Sequence, residues 1–445
     1  MRFSKKTIMK ILNLVIISLI HLFPVTFQFQ TVVNSPSDLL GYEVKNSYVG
    51  KVVHEVRIVN NSSSSVTGEL FIPLIRNMTS RHFVILQNKT PPCTLIKDDS
   101  ENIYINLNNI TIAEDQTFRL KVSYHVLSFE VQYLINTNKG GDDASLFDSR
   151  YIVPEKLIES NDSRITSLAY NLTVNVSDFH EKVLEIYRFV HRYLQYKAQN
   201  EERGALWALE HETGDCSEYS YLFVALCRAA GIPARIQAGF AFHRSHGVIE
   251  DGHMWAEYHL TDYGWIPVDV TWQLFDYIDA RHFSSIQSVP IITPYTNYLF
   301  ECKEEDSILE EQTISLTPCE TEIFTDDLVE IIMNAVREKN QAQQTLSLSR
   351  IFGIPLLFPS EVNEIEQTFL QARIHLHNAI NAIVDDQETA ISNAVIALER
   401  LELIKGNIWI LVVKAFSLFI GVLLIIIVIG SYLIKFSKDK NEVPS

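Results

Sequence analysis

The sequence predicts an α+β protein, and three changes of residue pattern along its 445 positions carry that assignment. Residues of about 40 to 135 alternate apolar and polar, with turn clusters between the runs. From Asp178 the apolar period becomes helical, and beyond Pro233 it returns to alternation at hairpin spacing. A helical segment followed by antiparallel strands is the order of an α+β domain.

At the start, Lys5, Lys6 and Lys10 precede the apolar run Ile11 to Ile20, so residues 1–30 read as a signal peptide or an uncleaved signal anchor. Residues 38–137 are expected to form a β-sandwich from runs such as Lys51–Val59, Gly68–Leu74, Ile103–Leu107 and Phe118–Tyr124. The polar stretch Asn138–Asp143 marks a domain boundary. The next domain is expected over 150–300. It opens with a helix whose apolar face is Val183, Ile186, Tyr187, Val190 and Leu194.

That domain is organised around Gly214-Asp215-Cys216-Ser217-Glu218-Tyr219, which runs into Ser220–Leu226. A cysteine after two turn-type residues, heading an apolar segment, reads as a thiol at a helix N-terminus. There, free amide hydrogens and the helix dipole favour the thiolate. Gly231 and Pro233 write the other end of the helix. A single cysteine is more often buried and inert than reactive. Cys216 and Cys227 lie about 16 Å apart along one helix, too far to bridge. Of the five cysteines, Cys302 and Cys319 flank an acidic segment and are the pair that could close a loop. The acidic run from Glu301 to Glu311 reads as a solvated loop.

Residues 326–406 read as helical, with a helical hairpin over 361–405 that offers a surface for self-association. Ser360 is the expected cap. Val362, Ile365, Phe369, Ala372, Leu376, Ala379 and Ile383 form a packing seam. A turn at Asp385-Asp386 precedes a return helix with Ile391, Val395 and Leu398 inward. Residues 408–434 then read as a transmembrane helix: 415–434 carry no charge, which spans a hydrocarbon core of about 30 Å. Trp409 and Lys414 sit at its outer edge, and Lys435, Lys438 and Lys440 place the tail 435–445 in the cytoplasm. The bulk of the chain is then extracellular on a single-pass anchor at the cell membrane. Asn60, Asn61, Asn77, Asn88, Asn109, Asn161, Asn171 and Asn175 are N-glycan acceptor sites by motif, all ahead of Cys216. A net charge of −17 with no basic stripe excludes a nucleic-acid partner.

A thiolate nucleophile needs a base to take its proton and a group to orient that base. His253 opens one strand and Asp269 lies on the next. Pairs across a turn at Asp262-Tyr263 miss the facing register by three, which a longer turn or a bulge absorbs. His243, His246, His253 and His259 lack metal-ligand spacing, and no metal or cofactor is expected. Trp255, Trp265 and Trp272 read as core and cleft wall.

Three ordered motifs, Gly-Asp-Cys-Ser-Glu-Tyr, His-Met-Trp-Ala-Glu-Tyr and Gly-Trp-Ile-Pro-Val-Asp-Val-Thr, resemble the transglutaminase-like superfamily in its prokaryotic, membrane-anchored surface branch. The resemblance covers about 150 to 275. It implies a papain-like core with Cys216 as nucleophile, His253 as acid/base and Asp269 as its orienter, and the strands ahead are similar to the N-terminal domain of some relatives. It implies acyl transfer on peptide or protein amides, as protease, amidase or cross-linker. The Cys216 amide is an oxyanion donor, with Tyr196 and Trp255 as candidates for the rest of the oxyanion hole and the cleft. The rival is an inactive member of the fold that binds or assembles at the surface.

Overall fold

The alternating N-terminal residues fold as β1 (Tyr42–Asn60), β2 (Val66–Pro73), β3 (His82–Thr90), β4 (Thr94–Lys97), β5 (Ile103–Ile112) and β6 (Thr117–Tyr133). The computed structural model describes residues 41–136, 149–199, 201–287, 297–301, 307–319 and 327–438. The expected signal segment, the linker 138–143, Cys302 and residues 439–445 lie outside these. β1 pairs antiparallel with β6 along nearly its whole length, and β3 adds to β6. β2 pairs with β5, and β5 with β4. Alternate residues in one stretch of β1 and of β6, Val52, Val56, Leu120 and Val122 among them, share one core with Leu70, Ile72 and Ile105 of the other sheet.

The two sheets formed by the strands of 38–137, the region expected as a β-sandwich, take further strands from downstream. β16 (Asn297–Glu301) pairs with β2, and β17 (Ile308–Pro318) runs along β1 from Asn60↔Ile308 to Gly50↔Pro318. The physical reason is edge satisfaction. β1 and β2 would otherwise present unpaired backbone groups. Residues 308–311, expected as solvated loop, therefore begin a strand whose Ile314 and Leu316 face the core.

Between the two halves of these sheets the chain builds its helix-and-strand part. α1 (Ser163–Thr173) and α2 (Phe179–Tyr193) come first, with Asp178 capping α2 through the Glu181 amide. Then follow β7 (Gln195–Tyr196), α3 (Ala205–His211), β8 (Thr213–Gly214) and α4 (Cys216–Ala229). Next are β9 (Ala234–Ala241), β10 (Gly247–Ile249), β11 (His253–Leu260), β12 (Gly264–Asp269), β13 (Leu274–Phe275), β14 (Tyr277–Ile278) and β15 (His282–Gln287). β13-β12-β11-β9-β15 form one antiparallel sheet. α4 packs against β9 and β11 and is wrapped by α1, α2 and α3, so Ser217 to Arg228 are all buried. That is the environment an all-round apolar helix requires.

α5 (Asp327–Ile351), the short α6 (Ile354–Leu357), α7 (Pro359–Ala382) and α8 (Gln387–Lys438) complete the described chain. The seam is buried at Val362, Ile365, Ala372, Leu376, Ala379 and Ile383, and half-buried at Phe369. Three expectations need correction. Pro359, not Ser360, opens α7, since proline at the first helical position loses no hydrogen bond. Asp386 caps α8 through the Thr389 amide and sets its phase, turning Val395 outward and Ala390, Ala394 and Ala397 inward. The hairpin also has a third helix. Leu328, Ile332 and Ala335 of α5 share a core with Ala379, Ile380 and Ala394.

The described residues divide into two compact units, 41–338 with 373–398, and 339–372 with 399–438. The second is a three-helix core of Ala342 and Leu346, Val362 and Ile365, and Leu401, Ile404 and Ile408. α8 continues without a break through the expected membrane segment, 52 residues and about 78 Å long. Its apolar stretch is unburied, and it is long and apolar enough to cross a membrane.

Gly239 is the tightest point of the β9–β15 pairing: a Cβ there would stand 2.0 Å from the Phe283 carbonyl oxygen. Gly239→Ala is expected to destabilise the protein by about 1–3 kcal/mol, because backbone rather than a side-chain tip must move. Chemical denaturation reads this directly, and an unchanged midpoint would contradict the close approach.

Candidate active site

Cys216 is the first helical residue of α4, and its position is fixed by a capping box. Asp215 Oδ1 accepts from the Ser217 amide at 3.0 Å, and Glu218 Oε2 accepts from the Asp215 amide at 3.0 Å. The other oxygens hold the approaching chain. Asp215 Oδ2 accepts from the Gln199 amide and Glu218 Oε1 from the Arg203 amide, each at 2.9 Å. Gly214 allows this: a Cβ there would meet Glu218 Cβ at 2.3 Å. The Cys216 side chain is half-buried, and its amide, at the first turn, has no intrahelical acceptor.

β11 and β12 pair in strict register from Ala256↔Val268 to Leu260↔Gly264. Continuing that register sets Asp269 beside Trp255, so His253 and Asp269 are diagonal neighbours on one face, without the bulge expected from the sequence. His253 Nε2 lies 2.7 Å from Asp269 Oδ2. Cys216 lies close enough to the imidazole to help raise its pKa, and Nδ1 is the ring nitrogen that Asp269 does not engage. Cys216, His253 and Asp269 are therefore brought together.

A fourth group, which the sequence reading missed, completes the arrangement. His282 on β15 directs Nε2 at Asp269 Oδ2, 3.3 Å away, and Nδ1 at Asp279 Oδ1, 3.0 Å away. Asp269 Oδ1 accepts from the Trp272 amide at 2.9 Å. The Trp272 ring lies 4.9 Å from both imidazoles and stacks on His243 at 4.2 Å. Burial alone would raise the Asp269 carboxyl and lower both histidines. Charge attraction and hydrogen bonding win: Asp269 is held well below the usual carboxylate range, and His253 and His282 are each pushed up to about 9. Asp279 is lowered to about 2 despite its burial, held down by His282 and Arg281.

His253, Asp269 and His282 are also the described group whose ligand atoms lie close enough to hold a metal, within 4.8 Å of one another. Both histidines direct Nε2 at the same carboxylate oxygen.

Tyr196 is exposed. The two-residue parallel ladder of β7 and β8 sets it beside Gly214, and its hydroxyl is influenced by Cys216 and Asp215. Trp255 is buried behind His253 with ring centroids 6.1 Å apart, so it backs the imidazole rather than lining an open cleft. Cys319 is half-buried, and its expected partner Cys302 lies outside the described residues; Cys93 and Cys227 are free thiols. Of the acceptor asparagines, Asn61, Asn77, Asn88, Asn109, Asn161, Asn171 and Asn175 are exposed. Asn60 is fully buried, and its amide nitrogen donates to Ser64, Ile112 and Ala113 carbonyls, so in this fold it is a structural group.

The charge network has a pH signature. Both histidines sit at about 9 against 6.5 unfolded, so their contribution is complete below pH 6.5 and drains as the pH rises towards 9. Asp269 has the opposite sign, contributing above its ordinary 3.8 and losing only in strong acid. Stability is expected to fall by on the order of 3 kcal/mol between pH 6.5 and 9, the two histidines sharing one carboxylate. His282→Gln should remove about half of that fall. A flat profile in denaturant titrations would contradict the network.

Comparison with known proteins agrees with the motifs. Residues 166–270 match the transglutaminase-like superfamily. No curated protein matches significantly, whereas seven solved chains do. A candidate cysteine protease of Cytophaga hutchinsonii shares 18% identity at a TM-score of 0.44, covering 62% of this chain and 100% of that one. The periplasmic domain of TgpA from Pseudomonas aeruginosa shares 16% at 0.27, covering 54% and 95%. A candidate protease of Parabacteroides distasonis shares 12% at 0.21, covering 48% and 59%. With every TM-score below 0.5, these likenesses carry no argument about activity. The segment that supplies Cys216, His253 and Asp269 is thus a domain of the transglutaminase-like superfamily.

Proposed function

We propose that the chain is a cysteine-dependent acyl-transfer enzyme acting on peptide or protein amides. The observation that carries this reading is a single imidazole, His253, held by the buried Asp269 carboxylate at 2.7 Å and close enough to Cys216 to be raised by it. In the reaction, Cys216 Sγ bonds to the amide carbonyl carbon and the oxygen takes up the negative charge. The Cys216 amide is placed to donate to that oxyanion, with the Tyr196 hydroxyl as the second candidate. The tetrahedral adduct expels the amine, which takes its proton from His253, leaving a thioester on Cys216. Water or a second amine then attacks the thioester, giving up a proton to His253, and the C–S bond breaks to release the acyl product and return the Cys216 thiolate. Asp269 stays ionised throughout and holds the imidazole through Nε2, so that Nδ1 faces sulfur and substrate. His282 acts through Asp269 as a positioning residue.

We further propose that α8 anchors the chain in a bilayer, with the catalytic domain outside and the lysines after the apolar stretch inside. Glycans on the exposed acceptor asparagines fit that placement.

The test is turnover. The full chain in detergent, incubated with a glutamine-containing peptide, is expected to release ammonia and to pass through a peptide adduct on Cys216 visible by mass spectrometry. Cys216→Ala should abolish both. Asp269→Asn should cut the rate, because a neutral amide no longer holds on His253 the proton that the departing amine takes. Neither ammonia nor adduct across a panel of peptides, from protein with a wild-type unfolding profile, would leave the inactive-scaffold reading in its place.

A further inference from the structure

A second polar site lies on the same sheet face as His253, four residues further along β11 and so about 13 Å away. It is a cavity of about 640 Å³ lined by Arg76, Arg81 and Arg235 among others. Glu257, 1% exposed, pairs with Arg235 at 2.7 Å and accepts from Gln237 at 2.7 Å, while Arg81 stands 3.8 Å off. Two donors are left over. Arg81 is 7% exposed and uses Nη2 on the Tyr133 hydroxyl and the Trp265 carbonyl, but its buried Nη1 has no partner, nor has Arg76 Nε. Stranded buried guanidinium donors are costly, which points to a missing acceptor. Burial and repulsion from Arg235 lower the Arg76 pKa, as crowded like charges require.

The charges lining the cavity set the ligand's charge. Three arginines face Glu257 and Asp262, and burial lowers His377 to about 4, which leaves it neutral near pH 7. One positive charge is in surplus, which suits a monoanion better than a dianionic phosphate. The volume far exceeds a carboxylate, and the mainly polar lining includes aromatic rings: Tyr42 lies 4.3 Å from His377, and Trp265 lies under Arg235 at 3.9 Å. We propose that this cavity binds an organic monocarboxylate with an apolar or aromatic body, of the size of a blocked amino acid or the last residue of a peptide. The carboxylate pairs with the Arg81 and Arg76 guanidinium groups, and the body lies against Tyr42, Tyr133 and Trp265. The site does not use the thiol, so it stands whether or not Cys216 is catalytic.

Calorimetric titration of the full chain in detergent tests this with N-acetyl-L-phenylalanine, its amide, inorganic phosphate and a short peptide ending in free phenylalanine. The acid is expected to bind and the amide not, with Cys216→Ala unchanged. Arg76→Gln should weaken binding about tenfold, the effect of one charge-assisted hydrogen bond. Asp262→Asn, at an exposed turn position, should tighten it about threefold by removing a repelling charge. Preference between the blocked amino acid and the peptide acid tells whether a small molecule or a chain terminus is the natural source. Equal binding of acid and amide, tighter binding of phosphate, no binding of either acid, or opposite effects of the two variants would overturn the assignment.

Discussion

The Asp269 carboxylate is fully buried, and an isolated charge in that position would cost several kcal/mol. Two imidazoles meet it at one oxygen and a backbone amide at the other, which keeps it ionised. The consequence runs outward. A charged Asp269 keeps a proton on His253, fixes its ring and leaves Nδ1 for Cys216. Asp279 then balances His282, and Arg281 balances Asp279 at 2.6 Å. The site is a chain of alternating charges, each tolerable because its neighbour is present.

Much of the fold serves to hold the two ends of that chain. The segment carrying Trp272 and Asp279 leaves β12 and is pinned at once by β13, where Leu274 pairs back with Asp269. It is pinned again by β14, whose Tyr277 pairs with Gln132 of β6. The N-terminal sheet thus fixes the loop that supports the buried Asp269 carboxylate. At the other end, α4 is buried on every side, so little of it but its first turn can reach substrate. Its capping box places Cys216 there, at the only part of the helix with free amides.

Cys216, His253 and Asp269 were legible because each sits in a local pattern: a capped helix start, a strand start and a strand end. The hairpin spacing pointed to a facing pair, whereas the sheet uses a diagonal one. His282 was not legible, since its role arises only when β15 folds back beside β9, placing Ser284 against Gly239, the partner of His253. β16 and β17 were missed for a similar reason. Their sequence is acidic and weakly apolar, and what makes them strands is the open edges of β1 and β2 far upstream. In the helical region the seam of α7 was readable from spacing. The phase of α8 was not, because it depends on where Asp386 restarts the helix.

The central claim is that His253 and Asp269 make Cys216 a nucleophile, and the most direct measurement is the rate of its alkylation. Iodoacetamide labelling of the native chain at pH 6, followed cysteine by cysteine, is expected to modify Cys216 at least tenfold faster than the half-buried Cys93 and Cys319, with Cys227 inert. Asp269→Asn should erase the advantage while the unfolding transition remains cooperative. Labelling of Cys216 no faster than Cys93 in the wild-type protein would contradict the account.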